Sequence, residues 1–177
     1  MNLIIAGIGG QGVNLLTQIV AQTCRAAGRL CQYTIHKGGA QSLGTVYGEL
    51  RFFQHPEQIL AANIPAGKLD LLIALDTWEA LRHLPLAHAT TRIWLESEVQ
   101  PIYIERHQNP ANPELLKALE AWSPQWRNYR QQAISQYGDA AMANYLAGLD
   151  CLQALEMADS SEFTRLFSKI SGKKDIQ

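Results

Sequence analysis

The sequence predicts one α/β domain over residues 1–177, three layers deep, with a largely parallel but mixed sheet and a helical C-terminal portion over about 112–172. Three observations lead to this. The chain opens on an unbroken apolar run, Asn2-Leu-Ile-Ile-Ala6, that passes straight into glycines. A second such run, Leu69–Leu75, ends in Asp76, a residue type that caps helices. From residue 112 onward the signals are those of helix starts and helical spacing.

Residues 2–6 lack the alternation of a half-exposed strand, so they suit a strand covered by helices on both faces. After the glycines, Val13, Leu16, Val20, Cys24 and Ala27 recur at helical spacing, and Gly28 stands where a left-handed residue ends a helix, giving a helix over about 12–27. Cys31–Ile35 reads as the second strand and Thr45–Phe53 as the third. The loop between them, Lys37–Gly44, is shorter than the dozen or so residues of a parallel crossover, so the strands pair antiparallel or lie at different edges.

Beyond Leu75, Asp76 and Glu79 form a capping-box pattern at the start of a second helix. Ile93–Leu95 and Ile102–Ile104 read as later strands, and Pro101 confines the latter to an edge or a strand start. Asn112-Pro113 and Ser123-Pro124 each set a capping side chain before a proline, marking two helix starts. A further helix spans Asp139 to about Met157 with Met142, Leu146, Leu149 and Leu152 on one stripe. The Asp159–Glu162 pair caps a last one carrying Phe163, Leu166, Phe167 and Ile170, with a frayed tail after Gly172. No internal repeat or low-complexity linker divides the chain.

With 47% hydrophobic and 18% charged residues and a formal net charge of -1, the composition argues against a basic nucleic-acid binder and against an acidic disordered tail. No run reaches the ~18 apolar residues of a membrane span, and the N-terminus lacks the pattern of a secretory signal, so a cytoplasmic protein is expected. Cys24, Cys31 and Cys151 are too few and too scattered for a disulfide framework and form no Cys-x-x-Cys pair; they read as buried small hydrophobes in a reducing compartment.

The most informative segment is Gly7-Ile-Gly9-Gly10-Gln11-Gly12, which satisfies G-x-G-x-x-G between a predicted strand and a predicted helix and makes the fold Rossmann-like. Gly7 allows the tight turn, Gly9 lets the backbone approach an anion, and Gly12 permits close helix packing. The helix start offers unpaired N–H groups and about half a positive charge. An NAD site also wants an acidic residue ending the second strand, where this chain has His36-Lys37. Lys37 suits a 2′-phosphate, so an NADP site stays open, as does an empty turn needed only for packing.

The second glycine-rich element, Gly38-Gly-Ala-Gln-Ser-Leu-Gly44, follows the second strand and can frame the same crevice. Gln11 and Gln41 donate and accept hydrogen bonds but do not serve as acid, base or nucleophile, so they position rather than react. The candidate ligand-binding or interface residues are therefore Gly7, Gly9, Gly10, Gln11, Gly12, Gly39, Gln41 and Ser42. No catalytic or metal-ligating residue is assigned. His36, His55, His83, His88 and His107 show no metal spacing, and no G-x-S-x-G elbow is present. Trp78, Trp94, Trp122 and Trp126 read as core or interface.

The succession of strand, GIGGQG, a helix ending in Ala26-Ala27-Gly28, a G-x-A-Q-x-x-G loop, a strand bearing Glu49-Leu-Arg51, and Asp70-Leu-Leu-Ile-Ala-Leu-Asp76-Thr-Trp-Glu-Ala-Leu81 resembles a known family. It is similar to the gamma subunits of 2-oxoacid:ferredoxin oxidoreductases, a family that includes the beta subunit of indolepyruvate oxidoreductase. The resemblance covers about residues 2–100 and returns at Tyr137–Gly148, where Asn144 and Gly148 match a late helix of the family; residues 105–136 match poorly. It implies an accessory subunit of an assembly that oxidatively decarboxylates a 2-oxoacid such as pyruvate or indolepyruvate and passes electrons to ferredoxin. Thiamine diphosphate and iron–sulfur clusters would then belong to a catalytic partner subunit, and this chain would pack against it, with coenzyme A a further candidate ligand and a homodimer a further candidate state. A stand-alone NADP- or flavin-binding oxidoreductase domain is the alternative. In the family the second loop reads G-x-x-Q-R-G-G, whereas Ser42 and Leu43 stand here for the arginine and first paired glycine. Without the arginine a strong anion contact is lost, and Leu43 points instead to an apolar contact with a partner chain.

Overall fold

The computed structural model describes residues 1–38, 44–58, 63–97, 113–157 and 159–173. The strand expected at Ile102–Ile104, the tail beyond Lys173 and the candidate residues Gly39, Gln41 and Ser42 lie outside the described residues. Among the described residues six strands, β1 (Asn2–Ile8), β2 (Leu30–Lys37), β3 (Thr45–Phe53), β4 (Leu69–Ala74), β5 (Ala87–Glu96) and β6 (Gln125–Arg127), form one sheet in the order β2-β3-β1-β4-β5-β6. β1, β4, β5 and β6 run parallel, and β3 is antiparallel to both its neighbours, β1 and β2. The expected mixed sheet and the antiparallel β2–β3 pair are thus both present.

Helices cover the two faces. Leu3, Ile5, Leu50, Leu71 and Ile73 pack beneath α1 (Val13–Ala26), α4 (Tyr129–Tyr137), α5 (Ala143–Ala154) and α6 (Ser161–Ser171). Ile4, Ala6, Leu72, Ala74, Ile93 and Leu95 face the other way, against α2 (Thr77–His83) and α3 (Pro113–Glu120). Side chains alternate across a strand, so a strand buried on both faces has no polar side to show, and β1 reads as an unbroken apolar run.

Local signals set several boundaries. α1 ends in a Schellman motif: Gly28 adopts φ +78, its amide donates to the Arg25 carbonyl at 2.9 Å, and the Arg29 amide donates to the Cys24 carbonyl at 2.9 Å. Asp76 caps α2 by accepting from the amides of Trp78 (2.9 Å) and Glu79 (3.2 Å). The capping box is only half formed. Glu79 is buried against β3, where its carboxylate accepts from the Thr45 hydroxyl at 3.0 Å and lies 3.2 Å from Arg82.

The helix expected at Ser123-Pro124 is a correction. Ser123 takes a left-handed φ of +50, the next residues form β6, and α4 begins only at Tyr129. Pairing of Trp94 with Gln125 and of Glu96 with Arg127 holds this stretch extended against its local helix signal. The helix expected from Asp139 is also divided. Asp139 accepts from the Ala141 amide at 2.8 Å and starts a single 3-10 turn, Ala140–Met142, and α5 follows from Ala143. At α6, Asp159 accepts from the Ser161 amide at 2.8 Å, Glu162 pairs with Arg165 rather than reaching back, and Ile170 is exposed. Among the described residues no helix is long and apolar enough to cross a membrane.

Candidate functional site

The glycine turn joins β1 to α1 at the carboxyl edge of the sheet. Gly10 (φ +99) and Gly12 (φ +75) occupy the left-handed region, which residues with a Cβ rarely adopt. A Cβ on Gly7 would lie 2.5 Å from Gln11 Oε1 and 2.9 Å from a Val13 methyl, so the tightness of the turn demands glycine there too. The Gly9 amide donates to the Gly44 carbonyl at 2.8 Å, which carries the β1–β3 ladder on to the root of the β2–β3 hairpin.

Gln11 is a cross-link. Its Oε1 accepts from the Ile8 amide at 2.9 Å, and its Nε2 donates to the Leu75 carbonyl at the end of β4, at 3.0 Å. From the helical layer, Asn144 Nδ2 donates to the Gln11 carbonyl at 3.0 Å. The turn, the end of β4 and the start of α5 are therefore tied at one point, although far apart in sequence.

α1 leaves the β1 end toward one face and α2 leaves the β4 end toward the other, so the two connections diverge and open a crevice outside the carboxyl ends. One cavity of about 270 Å³ is lined by Gly10, Gly12, Leu75, Glu96, Arg130 and Asn144. Glu96, only 7% exposed, accepts from the Arg130 amide at 3.2 Å. A second, of about 570 Å³, lies between the first turn of α1 and the β2–β3 hairpin and is lined by Gly9, Gly10, Asn14, Lys37 and Gly38. Gly12 gives α1 no side-chain cap, so its first-turn amides, without a partner among the described residues, share this cavity with Lys37 at a positive helix end.

The structure thus brings together Gly7, Gly9, Gly10, Gln11 and Gly12. Sequence reasoning assigned no role to Glu96, Arg130 or Asn144. Glu96 carried one usable signal, its position ending a strand at the edge where sites collect; Arg130 carried none.

A separate polar cluster lies where β3 meets α2. His36 stacks on Tyr47 with ring centroids 4.4 Å apart, and His83 meets Tyr47 edge-on at 4.6 Å. His36 Nε2 is 3.7 Å from the Glu49 carboxylate, whose other oxygen accepts from the Ile64 amide at 2.9 Å. Burial pushes Glu49 and Glu79 above the usual carboxylate range. It pushes His83 below the usual imidazole value, aided by the charges of Arg82 and His36, while the Nδ1–H bond to the Glu79 carbonyl at 2.7 Å opposes it. Among the described residues no group of three His, Cys, Asp or Glu side chains could hold a metal. Burial also raises the thiols of Cys24, to about 12, and Cys31, to about 11, so both stay protonated at neutral pH.

This cluster sets a pH dependence. A histidine with a depressed folded pKa leaves the unfolded chain binding more protons below about pH 6.5, so its share of stability is present above that value and lost as pH falls. Glu49 and Glu79 act oppositely, because their raised values favour the fold as pH falls toward the carboxylate range. His83→Asn keeps a donor for the Glu79 carbonyl and cannot titrate. Its stability deficit relative to wild type should shrink as pH falls below about 6.5 in urea-unfolding series; parallel profiles would contradict this.

A family model described as pyruvate ferredoxin/flavodoxin oxidoreductase matches residues 2–175. Among curated proteins, the chain is 28% identical over 138 residues to indolepyruvate oxidoreductase subunit IorB of Methanothermobacter thermautotrophicus, covering 76% of this chain and 68% of that protein. It is 30% identical over 83 residues to the subunit of the same name from Thermococcus kodakarensis, covering 47% of this chain but only 40% of the relative. Among solved structures, pyruvate oxidoreductase subunit PORC of Thermotoga maritima aligns with a TM-score of 0.63 at 10% identity, over 96% of this chain and 84% of that one. The gamma subunit of a keto/oxoacid ferredoxin oxidoreductase from Geobacter sulfurreducens aligns with a TM-score of 0.63 at 15% identity, over 95% and 85%. At those identities the structural matches establish the shared fold. The span of the family match establishes the rest: the chain belongs to the pyruvate ferredoxin/flavodoxin oxidoreductase family.

Proposed function

We propose that this chain is the accessory, gamma-type subunit of a cytoplasmic 2-oxoacid:ferredoxin oxidoreductase, in which a catalytic partner subunit carries the thiamine diphosphate and the iron–sulfur clusters. The observation that supports it best is the family match over residues 2–175, with the cross-linked glycine turn inside it. The partner's thiamine diphosphate supplies decarboxylation of the oxoacid, and its clusters take the electrons on to ferredoxin.

This chain's own part is recognition and support. Gly7, Gly9, Gly10, Gln11 and Gly12 form a ledge held to β4 and α5, and a rigid ledge positions what docks on it without paying for ordering at each encounter. Lys37 and the first-turn amides of α1 suit the phosphates of coenzyme A. Gly39, Gln41 and Ser42 are proposed for the same ligand on their place in the sequence alone.

Co-expression with a catalytic subunit of the family from the same organism tests the assignment. A co-purifying complex with thiamine diphosphate and clusters, active only when both chains are present, is the expected result. Calorimetry on the isolated chain addresses the other class: saturable micromolar binding of NADP or a flavin, with oxidoreductase activity of the chain alone, would replace this reading with that of a stand-alone enzyme.

A further inference from the structure

We infer that the outer edge of β2 is a docking strand for the catalytic subunit, which adds an extended segment with carboxylate side chains to the sheet. The inference rests on the subunit reading above. Among the described residues β2 is the terminal strand of the sheet, and it pairs with β3 along its whole length, Leu30 opposite Phe53 through Lys37 opposite Val46, without a bulge.

Which groups face outward follows from one bond. The Gly38 amide donates to the Thr45 carbonyl at 2.7 Å, and in an antiparallel ladder bonded pairs alternate, so Gln32, Thr34 and His36 bond to β3. Cys31, Tyr33, Ile35 and Lys37 then point their amides and carbonyls away from the sheet. Among the described residues only the Cys31 carbonyl is covered, by Arg25 Nε at 3.0 Å and Nη2 at 2.8 Å.

Edge strands are usually protected by shortness, proline, a bulge or an inward charge. This one has eight residues, no proline, and no Asp, Glu, Lys or Arg before Lys37 at its end; His36, next to Lys37, is engaged with Tyr47 and Glu49 of β3. Cys31 and Tyr33 also pack against the main core from its margin, so a docked strand would extend an existing apolar layer.

Charge decides the occupant. Arg25 lies over the Tyr33 ring at 5.3 Å, Arg29 precedes the strand and Lys37 ends it, while the strand itself holds no carboxylate. A second copy would set these cations against their like. A segment with a neutral, β-branched centre and acidic flanks pairs with the backbone and the cations together.

Hydrogen exchange on the chain alone and in the co-expressed complex reads this directly. Tyr33 and Ile35 amides should exchange at least roughly tenfold more slowly in the complex, while Thr34 and His36, already bonded to β3, change little. Ile35→Pro removes one outward donor without touching the β3 ladder, and should weaken assembly roughly tenfold while leaving the isolated chain folded. Lys37→Glu should weaken it most at low salt. A complex that forms with Tyr33 and Ile35 unprotected, or that tolerates Ile35→Pro, overturns the docking strand and leaves the subunit reading standing. Failure to form any complex overturns both. Protection that rises with the concentration of the isolated chain would make a second copy the occupant, and so refute the inference.

Discussion

Gly48→Ala is expected to cost about 3 kcal/mol of stability, and to lower the unfolding temperature by roughly 6–12 °C. Gly48 lies in β3 opposite Ile5 and Ile35, on the face that α1 covers. A Cβ built there would meet Thr17 of α1 at both branches of its side chain and would stand 2.7 Å from its Cβ. That last atom is fixed to the helix backbone, so no rotamer change clears it; Thr17 is fully buried and its hydroxyl is bonded to the Val13 carbonyl at 2.8 Å. The helix must lift from the sheet. Because the glycine turn leads directly into α1, the same displacement would disturb the Gly9–Gly44 and Gln11–Leu75 bonds, and assembly should weaken with stability. Thr17→Ala in the same chain removes the branch contacts but not the Cβ contact, so it should restore only part of the loss. Thermal unfolding of the single and double variants measures this, and a single variant within about 2 °C of wild type would show that the helix rides more loosely than its packing indicates.

A glycine inside a strand is a sequence-level sign of close approach, yet nothing local says what approaches. The same division runs through the whole chain. β1, α1, β3 and the Asp76 cap are legible because apolar runs, glycine stops and capping residues act within a few positions of themselves. β6 is not. It is three residues long, follows a serine–proline pair that locally favours a helix, and exists because β5 offers an edge beside it. The start of α4 lies beyond its expected place at Ser123-Pro124 for a related reason. Its buried residues, Tyr129 and Ala133, are too few to make a stripe, and it is fixed by tertiary bonds, such as the Tyr129 hydroxyl to Asp150 at 2.9 Å. At the candidate site the glycines announced themselves through their spacing, whereas the opposite wall, Glu96, Arg130 and Asn144, comes from three elements that meet the turn only after folding. The resemblance drew notice to Asn144 without giving it a task; the bond to the Gln11 carbonyl supplies one.

That bond makes Gly12 the position where stability and site geometry are hardest to separate. Gly12→Ala should cost about 2–3 kcal/mol, from two sources. An alanine at φ +75 carries a backbone penalty of about 1 kcal/mol wherever it occurs. The remainder is specific, because the new Cβ would collide with the side-chain amide of Asn144, the group that holds the Gln11 carbonyl. Asn144→Ala alone loses one hydrogen bond, about 1 kcal/mol, and leaves the φ of Gly12 unchanged. In the double variant the collision has no partner, so the two losses should fall short of their sum by at least about 1 kcal/mol. Urea unfolding of all four proteins gives the coupling. Strict additivity would mean that Asn144 moves aside at no cost, and that α5 is not what holds the turn in place. Coupling of the expected sign, together with weaker recovery of the catalytic subunit by either single variant, would place the wall of the crevice and the glycine turn in one mechanical unit.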